Sequence, residues 1–133
     1  MTQAFIVTPY AAALGLLGAA LTANVIINRG RAKATAGDGG APALAQAIRA
    51  HGNFVEQAPL ALLIIVLAEA AGARPLAIQL LGAALVLSRL VLAYALNKTL
   101  DLTRLRVAGA GLGITVLVAA SITAITAYFS ATS

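Results

Sequence analysis

Arg49, Asn53 and Glu56 lie in the stretch RAHGNFVEQAPL, residues 49–60, spaced i, i+4 and i+7. On a helix that spacing puts a cation, an amide and a carboxylate on one face. The stretch opens a long apolar run, where each of these groups is costly, so the chain gains something by keeping them. Arg89 sits within another apolar run, and Arg29 and Arg106 flank two more. Several guanidinium groups against one carboxylate leave a positive local sum, which an anionic ligand would balance. Arginine forks match carboxylates in particular, and Glu56 suits a ligand ammonium or an arginine clamp. The blander reading is a packing network, in which Arg and Glu pair only to avoid isolated charge in lipid. The excess of arginine and the default of intramembrane charge to function favour a polar, mostly anionic ligand between helices, entered from the cytoplasm.

Other chemistries find little support. The chain has no cysteine, so it holds no disulfide, thiolate metal site or cysteine nucleophile. Its single histidine, His51, makes a histidine metal cluster an unsuitable reading, and no metal is expected. His51 falls near the membrane interface, where an amphipathic ring is tolerated, and its expected role is positional. The net charge of +5 and a pI near 10.5 raise nucleic acid as a partner. No basic patch is interleaved with aromatics, however, and the hydropathy excludes that class.

The elements that position these residues are membrane helices. Of 133 residues, 61% are hydrophobic and 10% charged, and the mean hydropathy is +0.95. A soluble domain carries about 25% charged residues, so this chain has too little charge to cover a globule in water. Four apolar segments run over 4–28, 44–71, 76–96 and 105–129. Each is near or above the ~20 residues a helix needs to cross the hydrocarbon core. None shows the strict alternation of a barrel strand. The expectation is an all-α fold, one integral membrane four-helix bundle over residues 1–133, in contact with the lipid bilayer. The first ten residues contain no Lys or Arg, and the apolar stretch continues to about Ile27, so the segment reads as a retained helix rather than a signal peptide.

The connections set the expected topology. Residues 29–43, RGRAKATAGDGGAPA, form a flexible basic loop; 72–75, GARP, a tight turn; 97–106, NKTLDLTRLR, a short charged link. Arg29, Arg31, Lys33 and Arg49 flank the first connection and Lys98, Arg104 and Arg106 the third, while the second has only Arg74. The positive-inside rule then puts the first and third connections in the cytoplasm and both termini on the opposite side. Glu56 falls about 18 Å along the second helix and Arg89 about 12 Å below the end of the third, so the polar groups share the cytoplasmic half. Pro59 is expected to kink or loosen the second helix. Glu69 and Arg74 are expected to be solvated at the far end. Gly15, Gly18, Gly109 and Gly113 read as close-packing positions without chemistry.

The motif Arg49, Asn53 and Glu56 at the start of the second of four membrane helices resembles the signature of the MAPEG family, the membrane-associated proteins in eicosanoid and glutathione metabolism. The likeness spans nearly the whole chain: its length, four helices, a basic end to the first, an arginine in the third and LRVAG opening the fourth. The second-helix motif is the specific part. The resemblance implies a homotrimer of twelve helices with glutathione, the co-substrate, bound between neighbouring subunits in a cavity open to the cytoplasm. It implies that Arg49, Asn53 and Glu56 hold the peptide, with Arg29 from the first helix and Arg89 from the third. It implies that Arg106, with Arg104 as the fallback, stabilises the thiolate, and that the second substrate is a lipophilic small molecule from the bilayer. The ligand suits the residues, since glutathione offers two carboxylates to arginines and one ammonium to Glu56.

The chain departs from that pattern at Leu92 and Leu96, three and seven positions after Arg89, where several family enzymes carry aromatic residues. Tyr94 falls on a different face. A hydroxyl partner for glutathione is therefore missing. Two functions remain open. One is a glutathione-dependent transferase or peroxidase acting on small lipophilic electrophiles, a modest and broad one. The other is a non-enzymatic accessory or structural membrane subunit of the same fold.

Overall fold

A computed structural model of the chain describes residues 5–132. It contains four long helices, α1 (Thr8–Ala32), α2 (Pro42–Ala70), α3 (Pro75–Lys98) and α4 (Arg104–Thr132), and no strand among the described residues. All four are long and apolar enough to cross a bilayer. The expected apolar segments and the observed helices coincide to within a few residues. The expected start of the first apolar segment at Ala4, and the two chain ends themselves, lie outside the described residues.

Local chemistry sets the helix ends. The first three helices each carry proline at their start, where its missing N–H is not needed and its fixed φ suits the helix. The α1 terminus closes on Lys33, in the left-handed region at φ 52°, whose N–H donates to Arg29 and Gly30 carbonyls. The α2–α3 turn uses Gly72 at φ +87°. There Ala73 N–H reaches back to the Ala68 carbonyl at 3.0 Å, the long backward bond of a Schellman ending, which glycine makes possible. Helix α4 begins with a threonine cap: the Thr103 hydroxyl oxygen accepts from the Arg106 N–H at 3.2 Å.

Helix α3 packs against the other three, while α1 and α4 do not meet. The buried face of α2 is mostly alanine, with Ala47, Ala50, Ala58, Ala61 and Ala68 in the interior beside Leu44 and Ile65. Lipid is as apolar as leucine, so membrane helices associate through close van der Waals fit rather than water exclusion, and small residues allow it. Gly109 illustrates this: a Cβ there would lie 3.0 Å from the Leu92 backbone nitrogen. Gly15, by contrast, faces open space within the chain.

Helix α2 runs through Pro59 without a break in its helical assignment, with the proline on an exposed face. One expectation needs correction. Glu69 is not simply solvated. It is partly buried, and its carboxylate accepts from the Ile6 N–H and, at 3.0 Å, from the Val7 N–H. The unpaired N–H groups at a helix start attract a carboxylate, and Glu69 from α2 supplies it for α1.

Candidate functional site

The polar residues gather at the end of the bundle where α1 and α3 finish and α2 and α4 begin. On α2, Arg49 and Glu56 form an ion pair with Nη1 and Oε1 4.0 Å apart, the two side chains 51% and 58% exposed. Two turns of helix separate them, and the contact is loose. In water such a pair contributes ~0–1 kcal/mol. In a segment at membrane depth it needs cover, because each charge facing lipid near a helix centre costs about 2.5–3.5 kcal/mol.

Asn53 and Arg89 are also brought together. Arg89, 2% exposed on α3, donates from Nη1 to Oδ1 of Asn53 at 3.3 Å and to Oε1 of Gln57 at 3.1 Å. Its Nε donates to the Ser88 hydroxyl at 3.1 Å, and Ser88 donates to the Leu85 carbonyl at 2.9 Å. Nη2 is buried with no acceptor among the described residues. It lies against Gly113 of α4, where a Cβ would come within 1.9 Å of it. The guanidinium thus fits only because α4 has no side chain there.

The other two sequence candidates stand apart from this cluster. Arg29 donates from Nη1 to the carbonyls of Gly37 at 3.1 Å and Ala34 at 3.5 Å, closing the loop after α1. Arg106 donates to the Leu100 carbonyl and braces the α3–α4 link. Arg104 is exposed at the first position of α4. Each lies at the end of the bundle where Arg49 lies.

Three polar features went unread in the sequence: Gln57, Ser88 and an asparagine chain. Asn28 donates to Asn24 Oδ1 at 2.9 Å, Asn24 to Asn97 Oδ1 at 2.8 Å, and Asn97 to the Ala93 carbonyl at 2.8 Å. This chain fixes α1 against α3. Gln57 had a legible signal, since it falls one turn after Asn53 on the same side of α2.

The profile of the MAPEG family matches residues 7–126. The chain belongs to the MAPEG family. Inner membrane protein YecN of Escherichia coli strain K12 is 33% identical over 91 residues, covering 68% of this chain and 70% of that protein. The protein of the same name in strain CFT073 matches equally. No solved structure matches significantly. Four spans and this membership make the chain an integral multi-pass membrane protein.

Within this MAPEG chain, Leu92 and Leu96 are both buried, in a cluster with Leu21, Ala50 and Ala93. They fill the interior rather than lining an open face. Tyr94 is exposed on another side, with the Lys98 ammonium 5.5 Å from its ring centre. Beside the polar cluster an apolar groove of about 230 Å³ runs between α1 and α2, floored by Gly15, Gly18, Phe54, Ala58 and Pro59. A larger cavity of about 470 Å³ lies beside Glu69 at the opposite end. It has no cation in its lining among the described residues and lies at the other end of the bundle from Arg49, Arg89 and Arg106, so the smaller groove is the one relevant to the cluster.

Proposed function

We propose that the chain is a glutathione-dependent transferase or peroxidase for small lipophilic electrophiles, with glutathione held between neighbouring subunits of a homotrimer at the cytoplasmic end. The observation that carries this is the loose, half-exposed Arg49–Glu56 pair on a membrane-depth helix. A charged pair so placed calls for a polar occupant and a covering subunit. Glu56 then meets the ligand ammonium and Arg49 a carboxylate, while Asn53 donates to a peptide or carboxylate oxygen. The basic connections around Arg29 and Arg106 support a cytoplasmic side for this end by the positive-inside rule.

Chemistry in this reading turns on the thiol. Its pKa near 8.5 leaves it mostly protonated at neutral pH. Arg106 at the start of α4 supplies the positive charge that favours thiolate, with Arg104 as the fallback. In the transfer step the sulfur bonds to the electrophile's carbon, the leaving group departs with its electron pair, and the thiol proton passes to solvent. The groove beside Phe54 and Pro59 suits the lipophilic partner. With leucine at 92 and 96, no hydroxyl assists, so turnover is modest and selectivity broad.

The second reading, a non-enzymatic accessory subunit, draws on the internal pairing of Arg89 with Asn53 and Gln57. Ultraviolet thiolate absorbance on adding glutathione to the purified protein separates the two. Calorimetry adds the residue test: Arg49→Ala, Asn53→Ala and Glu56→Ala should each weaken binding by about 1–3 kcal/mol, the cost of an unpaired buried partner. Unchanged affinity in all three, with no thiolate signal, favours the accessory subunit.

A further inference from the structure

Among the described residues Arg89 is a buried cation with no carboxylate partner; its hydrogen bonds go to two amides and a hydroxyl. A guanidinium has five N–H donors and no acceptor. An amide that faces it offers its oxygen, and its NH2 group must turn elsewhere. Asn53 and Gln57 both present oxygen to Nη1. Both are half-buried on α2, on the strip that also carries Arg49. Arg49, Asn53 and Gln57 stand at i, i+4 and i+8, so their donors rise in steps of about 6 Å over about 12 Å of helix. An extended tripeptide reaches about 10 Å.

The guanidinium is costly to keep. Nη2 is buried without an acceptor, and Gly113 must stay bare to admit it. A leucine would fill the same interior with no unpaired group. A ligand arriving between subunits reaches exposed atoms, and Arg89 offers almost none.

We propose that Arg89 is a positioning residue that does not touch the ligand: it holds Asn53 and Gln57 with their NH2 groups outward, and so makes this strip of α2 a donor-only surface that selects carboxylates, which only accept, over carboxamides, which also donate. The proposal rests on the glutathione reading for the ligand's identity and adds Gln57 to the strip. Arg89 also strengthens the donors, because a cation drawing on an amide oxygen polarises the N–H bonds at the other side.

The test uses the full chain in lipid nanodiscs, with Arg89→Lys, Arg89→Gln and Gln57→Glu. Calorimetry compares glutathione with its diamide, in which both carboxylates are carboxamides. Carbon NMR of the Asn53 and Gln57 side-chain carbonyls, recorded without ligand, reports the amide orientation independently. Lysine has donors only and should keep the parent's preference for glutathione over the diamide. Glutamine both donates and accepts, lets the amides turn, and should reduce that preference about tenfold, the effect of one mismatched buried polar group. It should also shift both carbonyl signals, which lysine leaves in place. If Arg89→Gln fails to fold, Gln57→Glu keeps Arg89 paired and replaces an outward donor by an acceptor, so glutathione affinity should fall at least about tenfold. An unchanged preference in Arg89→Gln, a loss in Arg89→Lys equal to that in Arg89→Gln, or unchanged affinity in Gln57→Glu overturns the proposal. A parent that fails to bind glutathione overturns the glutathione reading instead, while the carbonyl signals still decide whether Arg89 orients the amides.

Discussion

Gly113→Ala tests the interior of the site with the least chemical change. A Cβ at that position would lie 1.9 Å from Arg89 Nη2 and 3.0 Å from its Cζ. Ordinary contact needs about 3.5 Å, so the guanidinium must retreat by about 1.5 Å or α4 must move away. Retreat is opposed by bonds from Arg89 to Asn53, Gln57 and Ser88 at 3.1–3.3 Å, which a shift of that size breaks. Interhelical polar bonds in membrane proteins contribute about 0.6 kcal/mol each and at most ~1.7. The stranded cation adds ~1–3 kcal/mol, and alanine's better helix propensity returns about 1 kcal/mol. Two such interhelical bonds, to Asn53 and Gln57, put the expected net loss at about 1–3 kcal/mol. Gly111→Ala is the control, since nothing lies within 4 Å of a Cβ there; it should be neutral or more stable by up to ~1 kcal/mol. Unfolding in mixed micelles with rising dodecyl sulfate, followed by circular dichroism, measures both. Equal midpoints for the two variants would refute the claim that α4 is notched for Arg89.

Other outcomes follow from the ends of the bundle. Reporter fusions at Ala36 and Ser133, the latter outside the described residues, should report opposite sides with Ala36 cytoplasmic; the same side for both would defeat the four-span topology. Glu69→Ala removes the carboxylate that receives the Ile6 and Val7 N–H groups and should cost ~1 kcal/mol in the same micelle assay, as lost helix caps do; no loss would mean those groups are served by water. Arg106→Ala should lower turnover with a test electrophile by on the order of a hundredfold, as loss of one transition-state donor does, with far less effect on glutathione affinity. Arg104→Ala should do less, and the reverse order would assign the thiolate role to Arg104.

The helices were legible because hydropathy and length alone decide them in a membrane chain, and their ends because proline and glycine mark them. Gly72 after α2 and the prolines opening α1, α2 and α3 stand where backbone chemistry requires. The cap from Glu69 to α1 was not legible. Carboxylate and helix start are more than sixty residues apart, and only the fold brings the end of α2 to the beginning of α1.

The candidate site divides along the same physical line. Periodicity put Arg49, Asn53 and Glu56 on one face, yet the face is about 100° wide and the neighbours split it. Arg49 and Glu56 turn to its open side and pair loosely, while Asn53 turns inward to Arg89. The spacing does not tell these apart, because which edge is buried depends on where α3 lies. Gln57 shares the inward edge but carries no charge to mark it in the sequence, although a buried guanidinium recruits oxygen acceptors whether or not they carry charge. Leu92 and Leu96 follow from the same geometry: at three and seven positions after Arg89 they share its inward side of α3, and both lie in the core. The face left open is therefore the one on α2, where a half-exposed ion pair stands beside two inward-anchored amides. A bilayer tolerates that face only under a polar ligand, a neighbouring subunit, or both.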